Sequence, residues 1–333
     1  MKKLSRREAL KRGLWGAAGL ASAASVAKAS ALGVPTHPHT DPHVVMSGGL
    51  PEGAGIDPTA FLTHFDYGEV SRRPGGQRVR EYRLMAMDRK IEVMPGLYYD
   101  AWTFNGQVPA PTLRATEGDL VRVYFTNAGL HEHSIHFHGF HAADMDGVFE
   151  QIQPGSSFVY EFEAGPFGLH LYHCHTMPIK RHIAKGLYGA FIVDPKTARP
   201  PAHEMVMVMN GFDVNFDGEN EVYAVNTVPF AYQARPIELR RRELNRIYLV
   251  NALEFDLINS LHIHANFFQL YRTGTSLTPS EYTDTISMGQ GERHILEFTY
   301  DRPGKFMFHA HQSEFAELGW MGLFDVRDAG VTA

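Results

Sequence analysis

The chain has 333 residues, 31 Lys and Arg against 37 Asp and Glu, a net charge of −6, 19 histidines and a single cysteine. The acidic balance excludes nucleic acid and anionic membrane as natural partners. One cysteine excludes an internal disulfide, leaving metal ligand, reactive thiol or buried hydrophobe as its roles.

Residues 1–29 read as an export signal. Lys2 and Lys3 precede the paired Arg6 and Arg7, a weakly apolar Gly/Ala/Ser stretch runs from Gly13 to Val26, and Ala27-Lys28-Ala29 is a small-x-small cleavage site. The apolar stretch is too short and too rich in Ala and Gly for a good membrane span. A twin-arginine signal, export in the folded state, a periplasmic or secreted location and no membrane anchor are the expectations. The signal holds seven basic residues and one acidic residue, so without it the net charge is about −12.

Residues 30–76 are rich in Pro, Gly and His and lack sustained periodicity, which predicts a mobile or surface-draped arm. His37, His39 and His43 in it are side chains able to capture copper. From Arg78 the pattern is β: short Val/Tyr/Phe-rich or alternating runs (EYRLMAM, DLVRVYFTN, SSFVYEFEA, GAFIVDP) between Gly, Pro, Asn and Asp clusters. Ser280–Thr285 and Ser313–Leu318 are read as short helical turns. An all-β fold of sandwich type follows. A break at DPKTARPP divides the body into 77–197 and 198–328, each of normal domain size.

The two halves repeat. LVRVYFTN leads into HSIHFHGFH, and NRIYLVN leads into LINSLHIHANFF; SSFVYEFEAGPFGLHLYHCH is echoed by RHILEFTYDRPGKFMFHAH. Strand then His-x-His, twice in each half, implies duplicated domains whose histidine sets meet at a domain interface.

Four His-x-His units result: His136/His138, His173/His175, His262/His264 and His309/His311. On a strand, residues two apart share a face. Imidazole suits copper, iron, zinc and nickel, and eight imidazoles converging on one interface need metal to explain them. Cys174 lies between His173 and His175 and so faces the other way. His133 lies three residues before His136, and His182 eight after Cys174; two imidazoles and a thiolate form the trigonal set that selects copper. Leu187, which cannot coordinate, falls at the weak axial position, with Met177 as a rival.

These residues carry a resemblance. HSIHFHG and HCH…H…GL, together with AWTFNGQVPAPTLRATEGD, resemble the motifs of multicopper oxidases, and the resemblance runs from about Arg78 to Val326. It is strongest to the two-domain members built of tandem cupredoxin-like Greek-key sandwiches, related to laccases and to copper nitrite reductases. It implies about four copper ions: a type-1 copper at His133, Cys174 and His182 in domain one, and one type-2 with two type-3 coppers on the eight histidines. Asn259 and Ala310 stand where a second type-1 site would have His and Cys. Asp146 matches the family aspartate that relays protons to the cluster, and Glu314 is a looser candidate for a second donor. Oxidation of a small reducing substrate coupled to reduction of dioxygen to water is implied, as is a homotrimer with the cluster between subunits. Phenols, Cu(I), Fe(II) and Mn(II) all remain open as donors. A copper nitrite reductase and a periplasmic copper-binding or electron-transfer protein are the alternatives.

Overall fold

The structure, a computed structural model, describes residues 56–328. A short helix α1 (Pro58–Phe61) precedes β1 (Glu69–Arg72), β2 (Arg78–Met94), β3 (Leu97–Phe104), β4 (Leu113–Thr116), β5 (Leu120–Asn127), β6 (His136–Phe137), β7 (Ser157–Glu163), β8 (Gly168–His173), α2 (Ile179–Ala184) and β9 (Tyr188–Asp194). After a strandless linker come β10 (His203–Phe212), β11 (Val222–Val225), α3 (Ala231–Ala234), β12 (Ile237–Arg240), β13 (Asn245–Asn251), β14 (Ile258–Ile263), β15 (Phe268–Arg272), β16 (Glu281–Thr283), β17 (Thr285–Gly289), β18 (Arg293–Phe298), β19 (Gly304–His309), α4 (Ser313–Glu317) and β20 (Met321–Arg327).

Each half is a two-sheet sandwich, and the pairing repeats. In the first, β2 pairs parallel with β5, which pairs antiparallel with β7; the facing sheet runs β4-β9-β8-β6. In the second, β10 pairs parallel with β13, which pairs antiparallel with β18; the facing sheet runs β12-β20-β19-β14-β17. The edge pair β6–β8 sets His136 opposite His173, and β14–β19 sets His262 opposite His309. The duplication legible in sequence is therefore a duplication of register.

Alternation explains why these segments are strands. Along β5, Val121, Val123 and Phe125 bury into the first core while Arg122, Tyr124 and Thr126 face outward. Arg122 sits across from Glu81 and Glu161 and bonds both, at 2.7 and 2.6 Å. β13 is instead buried at every position. Its Ile247 and Leu249 enter the second core, and its opposite face meets the first sandwich through a charged knot. Arg114 on β4 bonds Asp194 at 2.8 and 2.9 Å and Glu204 on β10 at 2.6 Å, and Glu204 also accepts from Arg246 and Tyr248. Burial alone would raise the Glu204 carboxyl, but these donors hold it at about 2.

Two expectations are corrected. The described part of the supposed arm, residues 56–76, is docked. Asp57 caps α1, Phe61 and Leu62 are buried, Tyr232 donates to the Pro58 carbonyl at 2.7 Å, and β1 pairs with β2. Two adjacent apolar anchors hold it, a signal hidden by the surrounding Pro and Gly. His37, His39, His43 and the export signal lie outside the described residues. Ser280–Thr285 is not helical, since it carries β16 and the start of β17, whereas α4 forms within Ser313–Leu318. Tyr282 and Thr283 favour a strand, and β16 finds its partner in β15.

Arg114→Met leaves Asp194 without its guanidinium and takes one of three donor residues from Glu204, at the junction of the two sandwiches. It is expected to cost about 3 kcal/mol, as when one member of a buried ion pair is removed. Urea denaturation of the variant against the parent measures this.

Candidate metal centres

Cys174 follows β8 directly, and its amide donates to the Leu187 carbonyl at 3.0 Å, which anchors the strand end to the start of β9. Its Sγ faces inward, 3.2 Å from His182 Nδ1 and 3.8 Å from His133 Nδ1, and the two Nδ1 atoms are 3.3 Å apart. The Ser134 amide points at the sulfur from 3.4 Å. Cys174 and His133 are fully buried and His182 is 3% exposed. Leu187 is buried in the same core cluster as Cys174, whereas Met177 is 74% exposed. Helix α2, which presents His182, is gripped by the second sandwich. Lys180 lies 4.4 Å over the Phe255 ring, and Lys185, just past the helix, 4.1 Å over Phe216. Both phenylalanines hold positive φ, 72° and 60°, a conformation that bulky residues rarely adopt.

The alternation in His173-Cys174-His175 turns the flanking imidazoles to the opposite side. There His138 Nε2 and His173 Nε2 stand 3.3 Å apart, and the His136 ring is 5.1–5.3 Å from those of His138, His173 and His175. His136 Nδ1 meets both the Asp146 carbonyl at 2.9 Å and its carboxylate at 3.0 Å, so Nε2 is the atom left for a metal. His173 Nδ1 is turned in the same way to the Cys174 carbonyl at 2.9 Å.

The second sandwich repeats this arrangement of rings and carbonyl partners. His264 Nε2 and His309 Nε2 are 2.9 Å apart, the His262 ring is 5.6 Å from that of His311, and His309 Nδ1 meets the Ala310 carbonyl. His262 Nδ1 meets the Asp284 carbonyl at 3.0 Å and Thr285 Oγ1 at 2.9 Å, with the Asp284 carboxylate 3.9 Å away. The Ser134 and Ser260 hydroxyls accept from the His175 and His311 amides. His264 and His311 are exposed, so this quartet opens on a surface. Among the described residues no close group of metal-ligating side chains draws on both quartets.

Asp284 is thus the positional twin of Asp146, and spacing concealed it. Asp146 stands ten residues after His136, while β15 and β16 intervene before Asp284. His141 was also missed; its Nε2 lies 3.5 Å from Asp146 and 2.8 Å from the Phe137 carbonyl. Glu314 is exposed on the first turn of α4.

The place in domain two that corresponds to the thiolate triad is filled. The Ala310 amide donates to the Trp320 carbonyl as Cys174 does to Leu187, and the Trp320 amide to Phe315 as Leu187 does to His182. Asn259, Ala310, Phe315 and Trp320 therefore replace His133, Cys174, His182 and Leu187. The indole Nε1 donates to Asn259 at 3.0 Å. This is an apolar plug with one internal hydrogen bond, and it has no metal chemistry.

The comparisons identify the class. Models of the multicopper oxidase family match residues 87–198 and 198–330. The chain belongs to the multicopper oxidase family and is built of two cupredoxin-like sandwiches. A solved multicopper oxidase is 57% identical and superposes with a TM-score of 0.83, over 84% of this chain and all of that one. The blue copper oxidase of Nitrosomonas europaea is 29% identical at a TM-score of 0.68, over 74% of this chain and 86% of its own. Among curated proteins, the copper-containing nitrite reductase of Neisseria meningitidis is 26% identical over 69% of this chain. The chain spans 64% of that relative's length.

Burial, above all, lowers His133, His173 and His182 to about 4 and His138 to about 3, and raises the Cys174 thiol. At neutral pH the imidazoles are uncharged and offer lone pairs. An unfolded imidazole, near 6.5, takes its proton first as pH falls, so folding loses stability downward from 6.5 to about 4. Each such group costs up to ~1.4 kcal/mol per pH unit. Chelator-treated protein is expected to show its steepest fall in Tm across that window; a flat Tm would contradict the burial of uncharged imidazoles.

Proposed function

We infer that the chain is a laccase-like multicopper oxidase that takes single electrons from a small reducing substrate and delivers them to dioxygen, forming water. The observation that carries this reading is Cys174: its sulfur faces a buried two-imidazole set while its chain neighbours His173 and His175 face a four-histidine group. The donor sets fit copper, with a soft thiolate and two uncharged imidazoles on one side and imidazoles alone on the other. His133, Cys174 and His182 would hold the type-1 ion, and His136, His138, His173, His175, His262, His264, His309 and His311 the other three. Copper, when bound, supplies the one-electron redox chemistry.

The protein's own groups do the rest. The Cys174 backbone joins the two sets over a single residue, the shortest covalent path available. Leu187, buried in the same cluster as Cys174, brings no donor atom to the triad, which would favour the reduced state of a copper held there. Asp146, bonded to His136 Nδ1, fixes that ring and holds a proton-transferring carboxyl group beside the quartet; the Asp284 carbonyl fixes His262, with its carboxylate 3.9 Å from that ring. Glu314 remains a candidate second donor. The exposed domain-two quartet supports a head-to-tail homotrimer in which domain one of the next chain covers it, a closed ring of heterologous contacts. The paired arginines of the leader support twin-arginine export to the periplasm or beyond. Phenols are the favoured donors, with Cu(I), Fe(II) and Mn(II) as others.

The names of the curated relatives keep nitrite reduction as a second reading, and copper stoichiometry separates the two. Elemental analysis of reconstituted protein is expected to give about four copper ions per chain, as the donor sets imply; about two would sink the oxidase reading. Cys174→Ser should remove one ion and the blue band. Asp146→Asn and Asp284→Asn should each slow reoxidation by dioxygen by about 10²-fold, typical of losing a positioned proton donor, with the blue band retained.

A further inference from the structure

A metal held by Cys174, His133 and His182 is out of reach of any donor, because the triad is buried on every side. A side chain that joins the triad to surface residues is Trp102 on β3. Its ring centroid is 4.7 Å from that of His182 and 5.5 Å from that of His133. Among the described residues it is the aromatic side chain outside the triad in ring contact with both imidazoles. Its other neighbours belong to the surface: the His131 ring at 4.6 Å and the Arg181 guanidinium at 5.2 Å, both residues exposed. The indole itself is 6% exposed.

Trp102 is fixed there by the same segment that fixes His182. Its amide donates to the Lys185 carbonyl at 2.8 Å, one residue past α2. Next, Gly186 holds φ 115°; a Cβ there would meet Val108 Cγ2 at 2.5 Å and the Trp102 carbonyl at 3.0 Å. The close approach of the two segments therefore depends on glycine.

We propose that Trp102 is the electron port of the type-1 centre. A donor rests against the indole edge between Arg181 and His131, and its electron crosses the packed indole to the His182 imidazole. The donor loses one electron, the type-1 copper gains it, and the indole ends unchanged. Tunnelling falls steeply with each gap between packed atoms, and the indole closes the gap that burial opens. Lys180 and Arg181, both exposed on α2, favour neutral and anionic donors over cationic ones. This assignment rests on the type-1 reading above.

The test uses the copper-loaded full-length protein, reduced without oxygen by ferrocyanide in a stopped-flow spectrometer. Trp102→Leu is expected to keep the blue band, the electron paramagnetic resonance signal and the reduction potential. Its second-order rate of bleaching should fall about tenfold, equivalent to ~1.4 kcal/mol of barrier, and Trp102→Phe should restore most of it. An unchanged rate, or a fall no larger than a shifted potential explains, overturns the port. Arg181→Glu, on the surface, should slow ferrocyanide and speed hexaammineruthenium(II), while Arg272→Glu alters neither; an unchanged ratio of the two donors overturns the location. Parent protein without a blue band would remove the type-1 reading itself. A blue band with rates indifferent to residues 102 and 181 would remove the port alone.

Discussion

Successive side chains on an extended backbone point to opposite sides, and the arrangement of this protein depends on that fact at residues 173–175. Had β8 ended in a helix, His173 and His175 would point about 200° apart around the axis and could not share a face. Extended, it sends sulfur into the core of the first sandwich and imidazoles out through its edge. The rest of the first domain serves this division. β9 anchors the strand end through Leu187, β6 lays His136 against His173, and α2 returns His182 to the sulfur. Domain two reaches across to grip that helix through two aromatic rings.

The second constraint is orientation of the rings. An imidazole offers a metal only one nitrogen, and which one depends on what the other nitrogen meets. Here backbone carbonyls decide: those of Asp146 and Cys174 in one sandwich, and of Asp284 and Ala310 in the other. These carbonyl contacts recur in both sandwiches although their loops differ in length, and side chains add to them: the Asp146 carboxylate on His136 and Thr285 Oγ1 on His262. Only the carboxylates of Asp146 and Asp284 add chemistry to a geometry that the backbone already sets.

Much of this was readable in the sequence because strand periodicity and metal-ligand spacing are local. The alternating runs from Arg78 onward, the repeat of His-x-His after a strand, and the outlying His133 and His182 all lie within short windows. What escaped was non-local. Asp284 is brought to His262 by β17 after two intervening strands, so no fixed spacing marks it. Trp102 precedes Cys174 by more than seventy residues, and its placement depends on the hydrogen bond from its amide to the Lys185 carbonyl. The plug of Phe315 and Trp320 could be inferred from Ala310 and Asn259 only as a missing site, with no hint of what fills it. Residues 56–76 were misjudged because composition speaks for flexibility, whereas two adjacent side chains, Phe61 and Leu62, supply the burial that docks them.

The plug has a consequence for how the halves tolerate scarcity. Trp320, Phe315 and Ala310 close the second core with carbon, and the indole donates to Asn259. The first core converges instead on a thiol and two imidazoles, whose Sγ and Nδ1 atoms crowd within 3.2 to 3.8 Å of one another. Without a metal the donor atoms of that triad face only each other, whereas the duplicate sets carbon in their place. A cell short of copper would inherit a molecule with one sound half and one expectant half, joined at Arg114.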